Sequence, residues 1–164
     1  MKLIPFKRKR EHKTNYRKRL LLLKSKIPRL IVRVSNKNIY LQLVEYSESG
    51  DKIITSVNTK DLEKLGWKHS RNNIPSAYLV GLLLAKKTNI KKAVLDIGLQ
   101  KNTPNGRIYA SVKGIIDGGI KVPCKEIVFP SEERISGAHL KKDFSKSIAK
   151  VKENLKWLKI QQKK

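Results

Sequence analysis

Acidic residues are scarce in this chain. Thirteen Asp and Glu stand against 38 Lys and Arg in 164 residues, giving a formal net charge of +25. That imbalance opposes compaction through self-repulsion. A bound polyanion relieves it, and nucleic acid is the usual one; an anionic membrane surface is the weaker candidate. Long apolar runs are also missing. The longest, around Tyr78 to Ala85, is far too short to cross a bilayer, so no membrane partner is expected. The opening MKLIPFKRKR has no apolar signal core, so no secretion signal is expected. The single cysteine, Cys124, excludes an internal disulfide and fits a reducing compartment, with the cytoplasm as the expected location. His12, His69 and His139 are far apart, and Cys124 has no cysteine neighbour, so no metal site is expected. Phosphate-loop and dinucleotide fingerprints are missing, so no cofactor is expected. The glycine cluster GIIDGG, Gly114 to Gly119, reads as a helix end and turn.

What the chain does have is charge gathered at its ends. Residues 1–29 carry twelve basic residues and one acidic, residues 141–164 carry nine and two, and the 111 residues between carry seventeen and ten. Both ends are therefore far more basic than the body, which reads as a near-ordinary globular domain with two basic extensions.

Residues 1–13 lack a hydrophobic period and are expected to stay disordered until bound. Thr14 and Asn15 are candidate caps for a short helix, Tyr16 to Lys24. RLIVRVSNKNIYLQLVEY, Arg29 to Tyr46, has two apolar runs around the turn cluster Ser35-Asn36-Lys37-Asn38 and predicts a hairpin. Its alternation places Leu30, Val32, Val34, Ile39, Leu41 and Leu43 on a core face, and Arg33, Tyr40 and Gln42 on the other. Lys52 to Asn58 reads as a third strand. A short helical turn follows, Asp61 to Leu65, ending at Gly66. A helix opens at Pro75 and runs through Thr88, with Gly81 in its middle suggesting close packing. Ala93 to Ile97 reads as a buried strand, and a second helix begins at Gly106 and runs to Gly118-Gly119. Past Pro123 the period is lost until Phe144, Ile148, Val151, Leu155 and Leu158, which form one apolar helical stripe among lysines. The order predicts an α/β fold: a mixed sheet with a hairpin and meander, then alternating helices and a strand, with a basic N-terminal arm and a C-terminal helix.

Catalysis finds little support. A metal-dependent nuclease needs converging carboxylates. Asp96, Asp117 and Asp51 are the candidates, but each reads more simply as a cap or turn residue. Ser76 and Ser111 have no base nearby in sequence. Nucleic-acid binding has more physical content. Arg8, Arg10, Arg17 and Arg19 supply planar forks for phosphates, and Tyr16 among them suits stacking on unpaired bases. Trp67 and Trp157 read as packing residues, although Trp67 lies in GWKHSRNN, a polar basic loop able to touch RNA. With no helix-turn-helix signature and a basic arm, folded RNA is a better partner than duplex DNA.

The ordered segments KTNYRKRLLLLKS, PRLIVRVSNKNIYLQLVEY, LGWKHSRNNIPSAYLVGLLLAKK, AVLDIGL, GRIYASVKGIIDGGIKVP and FPSEERISGAHL resemble the archaeal form of the L-eighteen family of large-subunit ribosomal proteins. The resemblance runs over roughly residues 5 to 158. It implies an α/β domain over a mixed sheet. The sequence itself divides into a basic arm with a short helix, 1–28, an α/β RNA-binding core, 29–123, and an extension with an amphipathic Lys-rich helix, 124–164. The resemblance implies binding to 5S ribosomal RNA, anchorage to large-subunit ribosomal RNA in the central protuberance of the ribosome, and contact with neighbouring large-subunit ribosomal proteins. Carried onto this chain, the RNA-binding residues are Lys7, Arg8, Arg10, Lys13, Thr14, Asn15, Tyr16, Arg17 and Arg19 in the arm, and Arg29, Arg33, Ser35, Asn36 and Lys37 in the hairpin. Lys68, His69, Arg71 and Asn72 follow in the loop after Trp67. No catalytic residue is implied. The alternatives are a magnesium-dependent RNA-processing nuclease using Asp96 and Asp117, and a general nucleic-acid-compacting protein.

Overall fold

The computed structural model of the chain describes residues 4–140 and 144–161, with side chains as far as Leu155. In chain order the helices are α1 Lys7–Arg10, α2 Tyr16–Lys24, α3 Ile74–Lys87, α4 Arg107–Asp117, α5 Glu132–Ser136 and α6 Ser145–Gln161. The strands are β1 Arg29–Val34, β2 Ile39–Glu45, β3 Lys52–Asn58 and β4 Val94–Asp96. They form one sheet in the order β3-β2-β1-β4. The three N-terminal strands pair antiparallel, and β4 runs parallel to β1. This is the mixed-sheet α/β fold expected from the sequence.

The alternation in the hairpin sets its two faces. Leu30, Val32, Ile39, Leu41 and Leu43 point into the core, and all are fully buried. Arg33 pairs across the register with Tyr40, and Ile31 with Gln42, on the opposite face. Ser35 closes the turn: its backbone N–H donates to the Asn38 carbonyl at 2.9 Å, and its hydroxyl accepts from the Asn38 N–H at 3.0 Å.

Helices α3 and α4 cover the core face of the sheet. A reciprocal cap starts α3. The Ser76 N–H donates to Asn73 Oδ1 at 2.8 Å, and the Asn73 N–H donates to Ser76 Oγ at 3.2 Å. The two helices approach until backbone meets backbone. A Cβ on Gly81 would strike the Ser111 carbonyl oxygen, and one on Gly114 would strike that of Tyr78. Gly81 therefore serves the close packing anticipated for it. The helical turn after β3 is a 3-10 segment, Thr59–Leu65, capped by Asn58 and Asp61 and ended by Gly66 at φ 91°.

Two segments differ from expectation. Residues 7–10, read as lacking structure of their own, form the single turn of α1. Arg8 Nε donates to Thr14 Oγ1 at 2.9 Å, Lys13 pairs with Glu11 at 2.9 Å, and the rings of Phe6 and Tyr16 lie 5.6 Å apart. These contacts link residues several positions apart and leave no period to read. The stretch after Pro123 contains a 3-10 turn, Glu126–Val128, and α5, which Gly137 ends at φ 84°. Both are too short to display a helical repeat. Phe144, Ile148, Val151 and Leu155 then bury their stripe in the common core, and Asn154 Nδ2 donates to the Leu65 carbonyl at 3.0 Å. Trp157 and Leu158 lie outside the described side chains.

Candidate nucleic-acid interface

The arm meets the sheet at α2. Asn15 caps this helix, its Oδ1 accepting from the Lys18 N–H at 3.0 Å. Lys18 Nζ donates to the Gly98 carbonyl just beyond β4 at 3.3 Å. One residue further along, Arg19 pairs with Asp51 at 2.7 Å. From there a line of alternating charges crosses the outer face of the sheet. Asp51 also meets Arg29 at 2.7 Å, Arg29 meets Asp96 at 3.1 Å, and Asp96 meets Arg33 at 3.5 Å. Partial burial alone would raise the Asp51 carboxyl, but Arg29 and Arg19 outweigh it and hold its pKa below the ordinary 3.8.

This arrangement divides the residues read as RNA-binding. Lys7, Arg10 and Arg17 are exposed on the arm, and Arg10 and Arg17 have no carboxylate partner among the described residues. Lys7 lies only loosely beside Glu11, at 4.0 Å. Tyr16 keeps 38% of its surface exposed. Arg8, Lys13, Thr14 and Asn15 fasten the arm to itself through the bonds described above. Arg19 is tied to Asp51 yet its side chain stays 39% exposed. Arg29 differs from all of these: its side chain is 2% exposed between two carboxylates, which makes it a structural residue. Arg33 donates to the Asp96 carbonyl at 2.8 Å and still presents 41% of its side chain to solvent.

The hairpin turn and the loop after Trp67 come together as a second basic group. Asn72 Nδ2 donates to the Asn36 carbonyl at 2.8 Å, which sets Ser35, Asn36 and Lys37 beside Lys68 to Asn72. Lys37 and Lys68 are exposed, and Arg71 pairs with Glu63 at 3.2 Å. His69 points inward instead. Its ring packs against Trp67 and Phe144, with Nε2 2.9 Å from Ser147 Oγ on α6. Trp67 itself is 2% exposed, so it packs the core and leaves the surface to its neighbours.

The segment Gly98 to Gln100 connects the two basic groups. Gly98 adopts φ +61°, and a Cβ there would lie 2.9 Å from Arg33 Cζ. Gln100 clamps Val34, accepting from its N–H at 3.1 Å and donating to its carbonyl at 2.6 Å. The base of the arm and the hairpin turn therefore occupy the same end of the sheet. Nothing local in the sequence marks this segment, and only the β1–β4 pairing brings it there.

The carboxylates considered for metal chemistry are engaged elsewhere. Asp96 accepts from Arg29, Arg33 and the Gly98 N–H, the last at 2.8 Å. Asp117 accepts from the Tyr78 hydroxyl at 2.9 Å and pairs with Lys113 at 3.3 Å. Among the described residues no group of three or more His, Cys, Asp or Glu is placed to hold a metal ion. Ser111 donates to the Arg107 carbonyl at 3.0 Å, and burial pushes the Cys124 thiol pKa up, away from nucleophile chemistry. No helix among the described residues is long and apolar enough to cross a membrane.

Known proteins resemble this chain in sequence. Residues 3–92 and 87–125 match the family described as ribosomal large subunit proteins 60S L5 and 50S L18. The large ribosomal subunit protein uL18 of Korarchaeum cryptofilum (strain OPF8) is 44% identical over 140 residues, covering 84% of this chain and 72% of that protein. With a mixed sheet, a cationic arm seated at one end of it, and a family match over most of its length, the chain belongs to the L5/L18 family of large-subunit ribosomal proteins.

Proposed function

We propose that this chain is a structural constituent of the large ribosomal subunit, assembled into the ribosome in the cytoplasm, and that it binds 5S rRNA without catalysing a reaction. The arm, residues 1–28, grips the RNA. The α/β body, 29–123, supplies a rigid platform through Arg33 and the turn Ser35 to Lys37. The extension, 124–164, and the loop from Lys68 to Asn72 reach large-subunit rRNA and neighbouring ribosomal proteins in the central protuberance, anchoring the 5S RNA there. The observation that carries this reading is the uncompensated charge of the arm. Residues 1–29 have a net charge of +11 by the counts above, and Arg10 and Arg17 have no acidic partner among the described residues. Phosphates are the partners such side chains lack, and counterion release drives their binding. Membership of a family of large-subunit ribosomal proteins supports a ribosomal RNA as the source of those phosphates.

The test is binding of the full chain to 5S rRNA at about 150 mM salt, a concentration that screens non-specific attraction, with unrelated structured RNA and duplex DNA as competitors. Neither competitor should displace 5S rRNA at equal concentration. Arg17→Ala should lower the dependence of log affinity on log salt by about one. Equal affinity for all three nucleic acids would overturn the reading in favour of general nucleic-acid compaction.

A further inference from the structure

Two cavities open side by side where the arm meets Gly98 and Leu99, and their linings differ in kind. The smaller, about 200 Å³, is ringed by Arg8, Lys13, Lys18, Arg19 and Arg33 against the single carboxylate of Asp96. The larger, about 390 Å³, has Tyr16 and Leu99 in its wall, with Lys9, His12 and Arg17. Thr14, Asn15 and Leu99 line both, so one ridge separates them. Leu99 is 54% exposed on this ridge, although nothing in the fold requires an apolar side chain in solvent there. The Tyr16 ring is backed by Phe6, which limits its freedom to turn.

We propose that this pair of cavities is a binding site for one unpaired nucleotide of the RNA, an inference that rests on the RNA-binding reading above. Its phosphate enters the small basic cavity, and its base enters the larger one against Tyr16 and Leu99. The chemistry selects that ligand. A wall of one aromatic ring and one leucine suits a flat apolar face, and the five cations beside it suit an anion within one sugar's reach. A base still stacked and paired in a duplex has no free face to lay against Tyr16 and Leu99. The site therefore selects nucleotides in loops or bulges. Neither half is complete without Leu99, which ties recognition to the folded domain as well as to the arm.

The experiment is chemical probing of 5S rRNA, free and bound to the full chain, with reagents that modify the Watson–Crick edges of unpaired bases. One nucleotide that is reactive in free RNA should become protected. Tyr16→Ala should restore its reactivity and weaken binding about tenfold, the usual scale for losing one stacked base. Tyr16→Phe should retain both protection and affinity. Leu99→Glu, an exposed change that leaves α2 intact, should restore reactivity at the same nucleotide even if Tyr16→Ala disturbs the helix. If the wild-type chain binds but the reactivity pattern is the same for wild type, Tyr16→Ala and Leu99→Glu, the nucleotide site is wrong and the RNA-binding reading survives. If the wild-type chain shows no preference for 5S rRNA, both fall together.

Discussion

At the scale of single residues, two arginines four positions apart on one strand have opposite fates. Arg29 and Arg33 share the outer face of β1, but Arg29 lies between Asp51 and Asp96 with 2% of its side chain exposed, whereas Arg33 ends the charge line with 41% exposed. Removing Arg29 leaves two carboxylates facing each other with much of their compensation gone, and breaking a buried pair from one side is costly. Arg29→Met should therefore destabilise the chain by about 3 kcal/mol in denaturant unfolding. Arg33→Met should cost about 1 kcal/mol or less, because solvent already screens that pair. The order reverses for RNA. Arg33→Met should reduce the salt dependence of binding, and Arg29→Met, assayed where it remains folded, should leave it unchanged. A drop in salt dependence for Arg29→Met would mean that its guanidinium leaves the carboxylates for a phosphate.

At the scale of elements, the governing contact is the crossing of α3 and α4, where each helix offers a glycine to the other's backbone. Adding a methyl at Gly114 meets the Tyr78 carbonyl, which belongs to a helix backbone and cannot rotate away. Overpacking of this kind costs about 1–3 kcal/mol when side chains can adjust, and more when they cannot. Gly114→Ala should therefore lower stability by at least about 3 kcal/mol, enough to lower the melting temperature by roughly 6–12 °C in a chain of this size. A change of less than about 1 kcal/mol would mean that the helices can slide apart without penalty. The elements themselves were legible in the sequence wherever a local rule acts. Thr14 and Asn15 before Tyr16 marked α2, the apolar alternation around Ser35 to Asn38 marked the hairpin, and Pro75 marked the opening of α3 one residue late. The contacts that make the candidate site were not legible. Asp51 reaches Arg19 across 32 residues and Asp96 reaches Arg29 across 67, so no spacing rule announces either. Leu99 becomes part of the arm's cavities only through the parallel pairing of β4 with β1. Arg29 and His69 were carried over from the family resemblance as RNA-binding residues. In the fold Arg29 is buried between two carboxylates, and His69 packs half-buried against Trp67 and Phe144.

At the scale of the whole molecule, a net charge of +25 acts on the fold and on the complex in opposite directions. In the free chain the excess cations repel, and added salt shortens the range of that repulsion from about 30 Å at 10 mM to about 8 Å at 150 mM. The melting temperature of the free chain should therefore rise by several degrees over that range, as self-repulsion is screened. Over the same range the affinity for RNA should fall steeply, because counterions released on binding must return to a more concentrated bath. The arm links the two effects, since it contributes much of the charge and little of the buried core. Deleting residues 1–13 removes five net positive charges, six basic against one acidic. The truncated chain should melt higher than the full chain at low salt, match it at high salt, and bind RNA more weakly with a shallower salt slope. Thermal unfolding followed by circular dichroism, run beside the binding titrations, separates these outcomes. If the truncated chain instead melts lower at every salt concentration, α1 and its contacts with Thr14 and Tyr16 contribute more to the fold than the arm's charge subtracts, and the arm is part of the folded body before any RNA arrives.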